Sequence, residues 1–170
     1  MRRLRYYGDA ILREKAAMVE TFSGETQEFA EELVELMYEY DGVGLAAPQV
    51  GVSLQMIAVD VWDGEQDPVV LVNPRITWAS EEKDWDAEGC LSIPGITAPV
   101  ERATSITVSA FTPHGDPLVL ESVEGFFARA LQHEIDHLRG ILFVDLTTPA
   151  KKALLKNKLK KLSRAYQKNT

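Results

Sequence analysis

His133 and His137 stand four residues apart in the run Gln132-His133-Glu134-Ile135-Asp136-His137. On a helix that spacing puts both imidazoles on one face, close enough to share a metal ion. Glu134 lies about 100° further round, so it reaches the open side of such an ion without being a ligand. The chemistry this pattern carries is metal-assisted hydrolysis, in which the ion acidifies a water and the carboxylate takes its proton. A solvated cluster of two histidines and an acid is the bland alternative. Against it count the apolar run Phe126, Phe127, Ala128, Ala130 and Leu131, which enters the pair at helical spacing, and Gly140, which supplies a stop.

A hydrolytic site of this kind needs a third protein donor. The extended histidine motif of many zinc peptidases would place it at position 143, where this chain has Phe143. Residues 138–170 hold no glutamate, and Asp145, their one carboxylate, follows the apolar run Ile141-Leu142-Phe143-Val144 and reads as structural. His114 falls in the turn Pro113-His114-Gly115-Asp116-Pro117. That leaves Cys90, in Glu88-Gly89-Cys90-Leu91-Ser92-Ile93-Pro94-Gly95, a tight, shaped segment rather than an ordinary strand. One thiolate and two imidazoles leave a fourth position for water. Cys90 is the only cysteine, so no internal disulfide forms, and a reducing, cytoplasmic setting is expected. A lone cysteine is otherwise most often a small buried hydrophobe.

Several elements must position these residues. Residues 25–40 form an amphipathic helix with Phe29, Leu33, Leu36, Met37 and Tyr40 on one stripe, ended by Asp41-Gly42-Val43-Gly44. Strands are expected over Leu54–Val61 and Val69–Val72, joined by an acidic turn at residues 63–67 and closed by Asn73-Pro74. Further strands follow at Ile76–Trp78, Ser105–Phe111 and Leu118–Glu121, the last two making a hairpin. A final helix starts near Pro149, with Leu154, Leu155, Leu159 and Leu162 as its apolar line. With no regular βαβ alternation the class is α+β, a single domain over residues 1–170. Antiparallel and mixed sheets would pack around the histidine helix, with helices at both ends of the chain.

The 170 residues, 45% hydrophobic and 26% charged, have the composition of a globular protein, with no run long enough to span a membrane. The basic start lacks the apolar core of a secretory signal. The net charge of −8 is unevenly spread: residues 151–170 carry eight cations and no acid, so the first 150 residues carry −16. Two surfaces facing different partners are implied. The tail over residues 149–165 reads either as a docked helix with a solvated lysine face or as a nucleic-acid contact.

Three blocks, Gly42-Val43-Gly44-Leu45-Ala46-Ala47-Pro48-Gln49, Glu88-Gly89-Cys90-Leu91-Ser92 and Gln132-His133-Glu134-Ile135-Asp136-His137, resemble in order and spacing the signature motifs of peptide deformylases. The likeness covers nearly the full length. A loose dinucleotide fingerprint in the first block is rejected, because it follows a helix and runs into Pro48. The resemblance implies removal of the N-formyl group from the initiator methionine of nascent chains, hydroxide activated at the metal attacking the formyl carbon. It assigns Cys90, His133 and His137 to a divalent metal, usually Fe(II), with Zn, Ni or Co able to replace it. It makes Glu134 the general acid/base, with the Gln49 amide and the Leu91 N–H stabilising the oxyanion.

The resemblance further places Gly44 and Gly89 beside the extended substrate, with Val43, Phe126, Arg129 and Ala130 lining the methionine pocket. Two departures stand out. Ile96-Thr97-Ala98 is small and uncharged where many bacterial members carry a longer side chain and an arginine, and Arg129 replaces a common aliphatic residue, so that the pocket is either capped or more polar at one edge. The implied partners are N-formylmethionyl peptides and, through the basic C-terminal helix, the ribosome. No membrane or DNA contact and a monomeric state are expected. The rivals are a metallopeptidase cutting internal bonds and a non-catalytic ribosome-associated homologue. The missing downstream ligand argues against the first, and the intact Gln49, Cys90, His133, Glu134 and His137 against the second.

Overall fold

The fold, taken from a computed structural model, is described for residues 2–62, 64 and 67–168. Asp63, Glu65 and Gln66 of the expected acidic turn lie outside the described residues. After a 3-10 turn at Ala10–Arg13, helix α1 spans Gly24–Glu39. Strands β1 (Gly44–Ala46), β2 (Met56–Val59), β3 (Val69–Ala79), β4 (Lys83–Cys90), β5 (Ile93–Ala103), β6 (Ser105–Phe111) and β7 (Pro117–Glu124) follow. Helices α2 (Gly125–His137), α3 (Phe143–Leu146) and α4 (Pro149–Lys168) complete the chain. One sheet has the order β1-β2-β3-β6-β7 and a second is the β4-β5 hairpin. Pairing is antiparallel in both, and the parallel contribution is the isolated Ala17–Leu54 bridge.

The β1-β2 end of the larger sheet is buried on both faces, whereas β7 is half-buried to exposed, and strand alternation explains the buried part. Side chains along a strand alternate between faces. Ile57 and Val59 of β2 join Leu71, Ile106 and Val108 in a core shared with Ala128, Leu131 and Ile135 of α2. Met56 and Ala58 point the other way, onto Phe29, Leu33, Leu36 and Met37 of α1. The helical stripe read in residues 25–40 is this contact, although Tyr40 stays half-buried. Helix α2 therefore touches the large sheet through β1, β2, β6 and β7, and also the hairpin through β5. From Ala128 to His137 nearly every α2 side chain is buried, as an element enclosed on several sides requires.

Several sequence-level boundaries change. Val69–Val72 and Ile76–Trp78 belong to one strand, β3, bent by a register shift between Val72 and Arg75. Asn73-Pro74 makes that irregularity rather than an end. Asn73 takes a positive φ of 50°, and its side-chain amide binds both the N–H and the carbonyl of Val19. Leu54–Val61 shortens to Met56–Val59. The segment around Cys90 is a hairpin: strands flank a turn at Leu91-Ser92, so only the turn is the tight, shaped piece. The polar sequence of β4 and Pro94, Gly95 and Pro99 in β5 hide that pairing from a pattern of hydrophobic alternation.

The hairpin face formed by Ile93, Ile96, Ala98 and Val100 packs on Leu142, Phe143, Val144 and Leu155. Leu159 and Leu162 join at the edge, but Leu154 does not belong to the apolar line; it is 74% exposed. Asp145 is structural, pairing with Arg13 at 2.5 Å and accepting the Leu142 N–H at 2.9 Å. Two backbone bonds of the N-terminal segment, Arg5 N–H to the Gln49 carbonyl (2.7 Å) and Tyr7 N–H to the Ser92 carbonyl (2.8 Å), tie together the two loops that flank the candidate site. Gly140, at φ 72°, ends α2; a Cβ there would lie 2.4 Å from the Arg13 carbonyl oxygen, so the close approach itself demands glycine.

Candidate metal centre and active site

The donor atoms of Cys90, His133 and His137 converge, all within 4.8 Å of one another. The two histidines come from adjacent turns of α2 and the thiol from the last residue of β4. Cys90 Sγ is 3.4 Å from His137 Nε2. His133 Nδ1 lies 2.8 Å from Glu88 Oε1. A carboxylate only accepts, so Nδ1 carries the hydrogen and Nε2 is left as the metal-facing atom.

The electrostatics suit a cation. Burial disfavours the imidazolium of His133, yet Cys90 and Glu88 more than offset it and raise the group to about 10. A positive charge is therefore favoured at this spot. Burial drives His137 the other way, well below the ordinary histidine value, with His133 and Arg102 adding to the effect; it stays neutral, the form a metal binds. Burial pushes Glu134 up to about 7, a value poised for both taking and giving a proton near neutrality. Its Oε2 is buried and finds no hydrogen-bond partner among the described residues. One thiolate, two imidazoles and an unpaired carboxylate oxygen beside them fit a divalent ion with an open coordination position.

Gln49 sits in the 3-10 turn Ala47–Val50 and is 1% exposed. Its Oε1 accepts the Ala46 N–H at 2.9 Å, which fixes the amide's orientation. Nε2 consequently faces Cys90 Sγ at 3.4 Å and Ser92 Oγ at 3.1 Å. A cavity of about 450 Å³ opens over these groups. It is lined by Val43, Gly44 and Gln49, by Gly89, Cys90 and Leu91 at the end of β4 and its turn, and by Phe126, Arg129, Ala130, His133 and Glu134 of α2. Every residue that the resemblance assigned to the site thus lines this cavity except His137, which is buried in contact with the Cys90 thiol. His114 is exposed in its turn.

Residues 1–153 match the family described as polypeptide deformylase. A curated peptide deformylase of Thermotoga sp. is 42% identical over 167 residues, covering 98% of this chain and 99% of the relative. The chain belongs to the polypeptide deformylase family. Peptide deformylase 1B of Arabidopsis thaliana, solved with an inhibitor, superposes with a TM-score of 0.93 at 35% identity, over 99% of this chain and 93% of that one. The deformylase of Synechococcus elongatus, solved with actinonin, gives 0.86 at 39% identity, over 92% and 87%.

What the sequence left unread is the support beneath the deformylase site. Glu88 is 7% exposed and is gripped by Arg102 through two bonds of 2.9 Å. Arg102 also holds Asp136 at 2.5 Å, and Arg129 bonds Glu88 at 2.8 Å. Burial alone would raise the Glu88 carboxyl, but Arg102 and His133 outweigh it and hold it at about 2. Gln132 binds both the N–H and the carbonyl of Ala103, fastening α2 to the end of β5. Glu88 stands two residues before Cys90 on β4, but the register shift between Gly89 and Cys90 breaks the alternation that would have placed both on one face.

Proposed function

We propose that this family member removes the N-formyl group from the initiator methionine of nascent polypeptides, using a divalent ion held by Cys90, His133 and His137. The observation that carries the reading is the buried, unpaired Glu134 carboxyl beside that donor cluster, with the Gln49 amide turned toward the same thiol. A bound ion supplies Lewis acidity, polarising the formyl carbonyl and acidifying a water. The mixed nitrogen and sulfur donor set suits Fe(II), the family's usual ion, and admits Zn, Ni or Co.

The chain's own groups account for the rest. Glu134 takes a proton as the water oxygen bonds to the formyl carbon, then passes it to the departing amine as the C–N bond breaks, giving formate and a free amino terminus. The Gln49 Nε2–H and the Leu91 N–H meet the charge growing on the formyl oxygen; one such donor is typically worth about 10²–10³ in rate. Gly44 and Gly89, both lining the cavity, offer backbone to an extended peptide. Val43, Phe126, Ala130 and the stem of Arg129 receive the methionine side chain. Helix α4 supports docking on the ribosome, since its cations stand on an otherwise acidic protein.

The test is anaerobic purification, metal analysis and hydrolysis of formyl-Met-Ala-Ser, with casein as the competing substrate. One divalent ion per chain, formate release and intact casein are expected. Glu134→Ala should lower kcat by about 10²-fold or more; unchanged activity in that variant would overturn the assignment.

A further inference from the structure

Arg129 is 6% exposed, an unusual place for a guanidinium that cannot shed its charge. An apolar residue would line a methionine pocket without needing partners. Among the described residues Arg129 makes four side-chain hydrogen bonds, all to the hairpin. Its Nη1 donates to Glu88 Oε2 and to the Val100 carbonyl, both at 2.8 Å. Its Nη2 donates to the Asp84 carbonyl at 3.1 Å and to Asp84 Oδ1 at 2.7 Å.

Glu88 shows what the first of these bonds completes. Its Oε1 accepts from Arg102 Nη2 at 2.9 Å and faces His133 Nδ1 at 2.8 Å. Its Oε2 accepts from Arg102 Nε at 2.9 Å and from Arg129. A carboxylate has about four acceptor sites, and Arg129 fills the last. Arg129 and His133 are also four residues apart on α2, one above the other on the same helix face. Each oxygen of Glu88 therefore bonds one nitrogen of Arg102 and one side chain of α2. The carboxylate plane is fixed against the axis of the helix that carries both histidines. Without Arg129, Oε2 keeps one partner and Glu88 is free to pivot in the Arg102 fork, taking the His133 ring with it.

We propose that Arg129 is a positioning residue for the metal centre, clamping Glu88 so that Glu88 fixes the orientation of His133. The inference rests on the reading of Cys90, His133 and His137 as metal ligands. A plain staple between α2 and the hairpin is the competing role, and Asp84 separates the two, because it shares the Nη2 contacts but does not touch Glu88.

The experiment loads wild type, Arg129→Leu, Arg129→Lys and Asp84→Ala with Co(II) anaerobically. It records the visible cobalt spectrum, the rate of cobalt loss to a chelator, and thermal unfolding. Arg129→Leu should unfold cooperatively yet show shifted cobalt bands and lose the ion about 10–100-fold faster, the usual effect of an outer-shell partner. Arg129→Lys, with one donor able to reach Glu88, should recover part of this, and Asp84→Ala should match wild type. A wild-type spectrum and off-rate in Arg129→Leu, or equal effects from Asp84→Ala, would overturn the proposal. If Arg129→Leu does not fold, an unshifted spectrum and off-rate in Arg129→Gln, loaded in the same way, overturn it equally. A wild type that takes up no cobalt overturns the metal-site reading itself, whereas unaltered variants beside a loaded wild type overturn only this inference.

Discussion

A Cβ placed on Gly44 would lie 2.5 Å from Glu134 Oε1 and 2.8 Å from its Cγ. Glycine there gives the Glu134 carboxyl its room, in addition to leaving backbone open to the cavity. Gly44→Ala should therefore displace Glu134, lowering kcat on formyl-Met-Ala-Ser by about 10²-fold, the low end of what proton transfer contributes. A rise in KM with kcat unchanged would contradict this. Glu88 gives a pH prediction of defined sign. Its folded value, about 2, lies below the ordinary 4.5, so the ionised carboxylate stabilises fully above about pH 4.5 and loses that effect as pH falls toward 2. Urea midpoints of metal-free protein over that range should drop more steeply for wild type than for Glu88→Gln. The two histidines and Glu134 were legible because one helix carries them. Cys90 emerged by elimination, but the contact of Gly44 with Glu134 spans ninety positions, and no local pattern encodes it.

Among the elements, α1 and α2 were legible because their apolar periodicity is the packing that forms them. The β4-β5 hairpin was not, because β4 is held mainly by its partner strand and by Arg102 and Arg129 rather than by an apolar face. Helix α4 shows the limit within a correct assignment. Leu154 and Leu155 both looked like core, yet Leu155 is 4% exposed, packed under the hairpin that ends in Cys90, and Leu154 faces solvent. Adjacent helical positions differ by about 100°, and the strip that α4 buries is narrow enough to take Leu155 but not Leu154. Leu155→Ala should cost about 2–5 kcal/mol and Leu154→Ala about 0.5 kcal/mol or less, measured by urea unfolding. Equal costs would mean that α4 is not seated as described.

Across the whole molecule, the burial of Leu155 changes how the charged tail must be tested. Deleting residues 150–170 removes eight cations, but it also strips a core contact from beneath Cys90 and the bond from Tyr166 to Asp9. A truncated chain would conflate lost docking with a loosened site. Charge and packing separate on the helix surface instead. Lys152, Lys156 and Lys160, a stripe spaced by four, line a groove of about 580 Å³ with Tyr7, Asp145, Leu159 and Ser163, while Leu155 packs under the hairpin. Three alanines at those lysines neutralise the stripe and leave Leu155, Leu159 and Leu162 in place. If the stripe docks on ribosomal phosphates, the variant should co-sediment with ribosomes less at every salt concentration. The slope of log affinity against log salt should shrink by about 2 to 3, since each released phosphate contact contributes about 0.7–0.9. Hydrolysis of formyl-Met-Ala-Ser should stay at the wild-type rate, because no lysine of the stripe lines the catalytic cavity. Unchanged co-sedimentation and slope would show that the cations of α4 solvate the helix and that the acidic body meets the ribosome, if at all, by another face.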